Sequence, residues 1–398
     1  METKKSDKFL STLEAARKGN ATAQFALGVM FENGEETEQN YVEAYKYYKL
    51  AAKQGNIDAQ FNLGLLYSKG YGVEQNYEKA AEYYAAAAAQ GDASAQCNLG
   101  ILYSDGYGVE QNYEKAAEYY SAAAAQGNAN AQSNLGILYE DGYGVEQNYE
   151  KAAKYYLAAA AQGVDIAQSN LGFLYYNGYG VEQNYEKAVE YYSAAAAAAQ
   201  GDVTAQYNLA NLYYYGKGVE QNYTKSIEYY QLAAQQGNSK AQFTLGYIYK
   251  TGEGVAQDYA EAYKYYKLAA EQGNSDAQVN LGILYENGDG VEQNYAKAFE
   301  CYLAAAEQGN PIAQYYAGSM YYYGKGVEQS FIKSLEYYKP AAEQGNSDAQ
   351  FALGFMYING EGAEQNYAEA YEYFNLAAEQ GHSGAQHNLE LMKKMVLE

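Results

Sequence analysis

Cysteine and proline are each present only twice in this 398-residue chain, and arginine only once, at Arg17. Cys97 and Cys301 stand in distant parts of the sequence. Two such thiols exclude a disulfide scaffold, and they read as small buried or half-buried side chains. With so little proline and 48% hydrophobic residues, the composition is not that of a disordered chain despite its acidity. No apolar run reaches the roughly eighteen residues needed to span a bilayer, so membrane insertion is not expected. The formal charge of −23 repels phosphate backbones and anionic lipid, and one arginine leaves little scope for bidentate phosphate recognition. Nucleic acid is therefore a poor partner. The lysine-bearing start, METKKSDKFL, lacks the apolar core of a signal peptide. A cytoplasmic location is expected, although a chain whose leader had been removed would read the same.

What the chain does contain is repetition. The string GYGVEQNYEKAAEYY starts at Gly70 and again at Gly106, and near-copies start at Gly142 and Gly178. Ala-Gln pairs mark the period: Ala23, Ala59, Ala95, Ala131, Ala167, Ala205, Ala241, Ala277, Ala313, Ala349 and Ala385. Each step is 36 residues except that from Ala167 to Ala205, which is 38. Such a period is the mark of stacked helix pairs, so the usual estimate of two or three domains for this length does not apply.

The second repeat shows why each unit folds as two helices. Asn56 is placed to cap a helix whose Ala59, Leu63 and Tyr67 form a stripe at i, i+4, i+8, and Gly70 is placed to end it. After the loop GYGVEQ, Asn76 is placed to cap a second helix with Ala80, Tyr84 and Ala87 on one face, ended at Gly91. Pro311 falls at a helix start that tolerates it. No segment alternates with the period of a strand. The chain reads as all-α.

The spacing A-x3-LG-x2-Y-x2-G-x-GV followed by KA-x3-Y-x2-AA-x2-G resembles the Sel-1-like repeat, a relative of the tetratricopeptide repeat. In the second repeat its carriers are Ala59, Leu63, Gly64, Tyr67, Gly70, Gly72, Val73, Lys79, Ala80, Tyr84, Ala87, Ala88 and Gly91. The resemblance implies a right-handed superhelical solenoid of about ten 36-residue helix-turn-helix repeats, with the first helices lining a concave face. It also implies an adaptor role, binding a protein or peptide without catalysis or cofactor. Residues 1–19 are expected to form an N-terminal capping helix, 20–380 a single solenoid of ten repeats, and 381–398 a C-terminal capping helix; the protein is expected to be monomeric. Departures occur at Ala210 for the helix glycine, Ala317 for the leucine, and Glu36-Thr37 for the second glycine and valine.

Because proteins with this repeat are often labelled β-lactamase-like, hydrolysis of cell-wall material is the rival reading, and an exported effector that binds host proteins is a third. Ser330-x-x-Lys333 and Lys250-Thr251-Gly252 occur in reversed order for a serine β-lactamase and away from any strand. The first is a variant of the recurring NYEK, the second of a helix end. His382 and His387, the only histidines, have no further metal ligands at suitable spacing.

Information about a partner must lie where repeats differ. Of 52 tyrosines, most fall in four columns represented by Tyr67, Tyr77, Tyr83 and Tyr84, which read as framework. Outside those columns tyrosine accumulates on first helices of the C-terminal half. The candidate partner-binding strip is Tyr207, Tyr214, Tyr215, Tyr247, Tyr315, Tyr322 and Tyr323, with Lys217 and Lys325 at its rim as attraction for an acidic segment. Two irregularities carry structural expectations. Pro340, inside a second helix, is expected to kink it or break it early. The two extra residues in Ala194–Ala199 are expected to lengthen a second helix or bulge at its end, leaving the packing register intact.

Overall fold

A side chain attached to Gly136 would overlap the ring of Tyr156, its Cβ lying 2.6 Å from Cδ1. That close approach of a helix glycine to an aromatic ring recurs in every repeat but the sixth, where Ala210 replaces the glycine, and in repeat ten the ring is Phe374. In the computed structural model, which describes residues 7–197 and 201–397, each repeat has a first helix (A) and a second helix (B). In repeat four these are Ala129–Asp141 and Tyr149–Ala160. Among the described residues there are 22 helices and no strand, so the all-α tandem architecture read from the sequence holds. The chain divides into two compact units, Met1–Ala205 and Gln206–Glu398.

Local chemistry sets the helix ends as the sequence suggests. In repeat two, Asn56 accepts the amide of Ala59 at 2.8 Å and starts helix A, Ile57–Lys69. Gly70 closes it in the left-handed region, φ 73°, where a Cβ would be strained. Asn76 accepts the amide of Lys79 at 2.9 Å and starts helix B, Tyr77–Ala88. Repeat five differs, because Val164 stands in the cap position and makes no side-chain cap bond. The GYGVEQ loop is clamped between the helices. Gln75 donates to the carbonyl of Ser68 at 2.8 Å and to the Tyr77 hydroxyl at 3.0 Å. Its second glycine allows contact between repeats: a Cβ on Gly108 would collide with the backbone of Tyr77 and Glu78 in the preceding repeat. At the departure in repeat one, Glu36 adopts φ 58° itself, so the turn survives without glycine.

No repeat buries a core alone. One cluster joins Ala80, Tyr84 and Ala87 on helix B of repeat two with Ala95, Leu99 and Leu102 on helix A of repeat three. A ladder of glutamines runs beside these contacts. Gln90 donates to Gln60 Oε1 at 2.7 Å, and Gln60 donates to the helix-end carbonyl of Ala52 in repeat one at 3.5 Å. The same pairing recurs at Gln126 with Gln96 and Gln162 with Gln132, and in the second unit at Gln272 with Gln242. The glutamines of the Ala-Gln pairs that marked the period are thus acceptors from the glutamines that precede the helix-ending glycines. At the chain ends, Phe9 and Ala16 of helix Asp7–Arg17 pack on Leu27 and Met30, and Leu389 of helix Ser383–Leu397 packs beside Phe374. Glu390, where the other helices carry glycine, is exposed.

Neither the early break at Pro340 nor the lengthened helix before Ala205 is found. Helix B of repeat nine is not cut short at Pro340; it runs Phe331–Glu343, with Ala341 and Ala342 buried as elsewhere. Proline occupies the column that is exposed leucine at Leu232 and Leu268, and Glu336, whose carbonyl loses its donor, is itself exposed. The missing bond falls on an exposed side of the helix, and the buried face keeps its register. The helix before the 38-residue step is not lengthened either: Tyr185–Ala196 has 12 residues, like Tyr149–Ala160. The amide of Asp202 reaches Ala195 O at 3.0 Å, seven residues back, where the equivalent bond from Asp92 to Ala87 spans five. The extra length is therefore absorbed between Ala197 and Asp202. The expected bulge falls on 198–200, which lie outside the described residues.

The tyrosine–glycine joint is testable by overpacking. Gly136→Ala should destabilise the chain by about 1–3 kcal/mol in urea unfolding, because the added methyl must displace a fully buried ring. Combining it with Tyr156→Leu should cost less than the sum of the two single substitutions. Additive costs would contradict the joint.

Candidate functional site

The seven tyrosines of the strip all lie on helices A of the second unit, and they fall into three environments. Tyr207 and Tyr315 are half-buried and lean on core tyrosines of their own repeats, Tyr230 and Tyr338, with ring centroids 5.8 Å apart in both cases. Phe61 leans on Tyr84 in the same way in repeat two, so an aromatic ring at this column is also a packing element. Tyr214 and Tyr322 reach into the loop of the following repeat. Tyr322 donates to Glu361 at 2.8 Å, and Tyr214 is hydrogen-bonded to Glu253. The third group faces solvent: Tyr215 is 63% exposed, Tyr323 64% and Tyr247 46%.

The loop acids explain the second environment. In repeats two to five the loop carries a tyrosine that stacks on the first tyrosine of the previous helix B, as Tyr107 does on Tyr77 at 5.1 Å. In repeats six to ten that position holds Lys217, Glu253, Asp289, Lys325 and Glu361. The GEG loops of repeats seven and ten each follow a YYYGKG repeat, so a tyrosine–carboxylate bond replaces a ring stack. This pairing of separate columns is visible in the sequence only to a reader who already knows which loop touches which helix.

The lysines are less free than expected. Lys325 pairs with Glu286 at 3.3 Å and lies over the Tyr295 ring at 5.5 Å. Lys217 lies over the ring of Tyr215 at 5.9 Å. With Glu286 balancing Lys325, attraction for an acidic segment is not what this rim favours.

One part of the strip closes into a pocket of about 420 Å³ at repeats nine and ten. Tyr315, Tyr322 and Tyr323 line one side, and Phe351, Phe355 and Asp348 the other, with His382 at the end. The sequence reading included the tyrosines; Phe355, Asp348 and His382 belong to columns it did not compare along the array. Burial and nearby carboxylates hold both Tyr315 and Tyr322 up at about 12. For Tyr322 the bond to Glu361 adds to burial, since a phenolate beside a carboxylate is disfavoured.

The other candidate residues have structural roles. Ser330 caps helix B of repeat nine by accepting the amide of Lys333 at 3.3 Å, and Lys333 lies over Tyr321. Lys250 donates to Asn280 at 2.9 Å, Thr251 to the Tyr247 carbonyl, and Gly252 closes the helix at φ 77°. His382 accepts the amide of Ala385 through Nδ1 at 3.1 Å, while His387 is exposed. Cys97 and Cys301 are free thiols, both pushed up to about 11 by burial. Among the described residues no group of His, Cys, Asp and Glu is placed to hold a metal, and no helix is long and apolar enough to cross a membrane.

Comparison with known protein families matches the Sel1 repeat ten times, over residues 21–56, 57–92, 93–128, 129–164, 165–199, 203–238, 239–274, 275–310, 311–346 and 347–382. The chain belongs to the Sel1 repeat family. Two solved structures agree. The protein c5321, a protective antigen present in uropathogenic Escherichia coli strains and displaying this fold, is 34% identical over 97% of this chain and 90% of its own, with a TM-score of 0.67. A Sel1 repeat protein from Oxalobacter formigenes is 32% identical over 79% of this chain and 90% of its own, with a TM-score of 0.61. No curated protein matches. Sel1 repeat solenoids are typically scaffolds for protein interaction and generally non-catalytic, the class of role that the sequence resemblance implied.

The raised tyrosines give this Sel1 chain a specific alkaline behaviour. A phenol held above its unfolded value of about 10 contributes stability that is complete below that value and is lost as pH rises through the folded one. Helical circular dichroism should therefore hold up to about pH 10 and fall between there and about pH 12, together with the appearance of tyrosinate absorbance. Full tyrosinate absorbance with helicity unchanged would contradict the burial.

Proposed function

We propose that this protein is a non-catalytic scaffold that binds a polypeptide along the helices A of its second unit, through Tyr215, Tyr247 and Tyr323. The observation that carries the reading is exposure. Core tyrosines such as Tyr230 and Tyr338 are buried, whereas Tyr215 and Tyr323 leave nearly two thirds of their surface to solvent with no framework task left to perform. Tyrosine is well suited to such a face, because it offers a large amphipathic surface and has few rotamers to lose on binding. Tyr214 and Tyr322 pack edge-on against Tyr215 and Tyr323 at 4.9 Å, and Tyr207 and Tyr315 lie on the same two helices. Lys217 and Lys325 shape the rim through their ring contacts.

The family character supports the class of function, and the framework roles of Ser330, Lys333, Lys250 and Thr251 support the absence of catalysis through those residues. The partner is expected to lie extended across several repeats, since the three exposed tyrosines are spread over repeats six, seven and nine. Replacing Tyr215, Tyr247 and Tyr323 together with serine should weaken binding of a captured polypeptide partner at least tenfold, about 1.4 kcal/mol, with helicity unchanged. A folded triple variant that binds its partner as tightly as the parent would overturn the proposal.

A further inference from the structure

We propose that the aromatic pocket of repeats nine and ten receives the guanidinium of an arginine side chain carried by the partner polypeptide. This rests on the reading above and adds the chemistry of one contact.

The pocket has two features that together select a cation. Its walls present ring faces: Phe351 packs edge-on to Phe355 at 4.9 Å and stacks on the His382 ring at 4.3 Å, and Tyr322 packs edge-on to Tyr323 at 4.9 Å. Ring faces attract cations through the π quadrupole. Its rim carries Asp348, in the first turn of helix Ser347–Asn359, with 58% of its side chain exposed. The charged and titratable groups around the opening leave that carboxylate without a compensating lysine or arginine. Lys325 is held by Glu286, and Glu361 adds a second carboxylate behind Tyr322. His382 spends Nδ1 as the acceptor of its helix cap and places Nε2 3.4 Å from Asp348, on the pocket side. The chain as a whole carries −23, so a basic segment is also the one it attracts at a distance.

Arginine fits better than lysine. A guanidinium is planar and weakly hydrated, so it can lie on a ring while its N–H groups reach a carboxylate; an ammonium is compact and strongly hydrated. The other YYYGKG repeat, the sixth, supplies an internal contrast. Repeats six and seven reproduce the rings with Tyr207, Tyr215, Phe243 and Tyr247, yet Lys240 stands where Asp348 stands. The same aromatic frame thus carries opposite charges at two places, and only the pocket of repeats nine and ten is set for a cation.

The chain has two histidines, one in the pocket and one exposed outside it, so their ring-proton NMR signals report the site directly. His387→Gln assigns them. Titration with N-acetyl-arginine amide should shift the His382 signal saturably and leave His387 in place. The neutral isostere N-acetyl-citrulline amide should not shift His382, and N-acetyl-lysine amide should bind more weakly. Asp348→Asn and Tyr323→Ser, both at exposed side chains that the fold does not need, should each weaken arginine binding roughly threefold or more. No shift with arginine, an equal shift with citrulline or lysine, or an unchanged affinity in Asp348→Asn would overturn the proposal. The titration uses no polypeptide. If the triple serine variant loses its partner while arginine leaves His382 unmoved, the scaffold reading stands and the arginine assignment falls.

Discussion

The ring of Tyr84 occupies the space that a side chain on residue 64 would need, and much of this molecule follows from that exclusion. Glycine at the middle of a helix is costly by about 1 kcal/mol relative to alanine. Here it lets helix B lie close enough for a fully buried tyrosine to fill the joint. The same substitution of backbone for side chain recurs at the loop, where Gly108 lies on the backbone of Tyr77 in the preceding repeat. One glycine fixes the two helices of a repeat and the other fixes a repeat to its neighbour. Repetition of the GYGVEQNYEKAAEYY string is the consequence, because each unit must present identical faces on both sides.

A buried tyrosine brings a hydroxyl with it, and the variable residue of helix A directly after its framework tyrosine (Ser68 after Tyr67) answers that need differently along the array. Tyr156 donates to Glu140 at 2.6 Å and Tyr302 to Glu286 at 3.0 Å, whereas Tyr84 lies 3.3 Å from the Ser68 hydroxyl. Where this residue is itself tyrosine, Tyr214 and Tyr322 turn the hydroxyl to the next loop and bind Glu253 or Glu361, whereas Tyr176 of repeat five packs edge-on to Tyr185. Variation in this column therefore has two origins. Some of it satisfies the core and some, at Tyr214 and Tyr322, binds the next loop, while the neighbouring rings of Tyr215 and Tyr323 stay exposed.

Helix boundaries, the period and the all-α class were legible because they depend on local chemistry: asparagine caps, left-handed glycines and a stripe of small and aromatic residues. Pro340 does not cut its helix short, because the bond it removes falls on an exposed side. The extra residues near Ala197 do not lengthen the helix, and the alternative bulge falls on 198–200, outside the described residues. The candidate strip was legible as an excess of tyrosine, but its division was not. Tyr207, Tyr214 and Tyr247 look alike as letters; one supports a core ring, one binds a loop acid and one faces water. The pocket that joins Tyr323 to Phe355 and Asp348 needs two repeats and the start of a third, so no single column contains it.

The central claim is that identical residues divide into framework and surface according to column. Chemical acetylation of tyrosine in the native protein, read site by site with mass spectrometry, tests it directly. Tyr215, Tyr247 and Tyr323 should react early, alongside the exposed loop residues Tyr71 and Tyr107, while Tyr84, Tyr156, Tyr230 and Tyr338 stay protected until the chain unfolds. Equal reaction of the two groups in the folded protein would contradict the account.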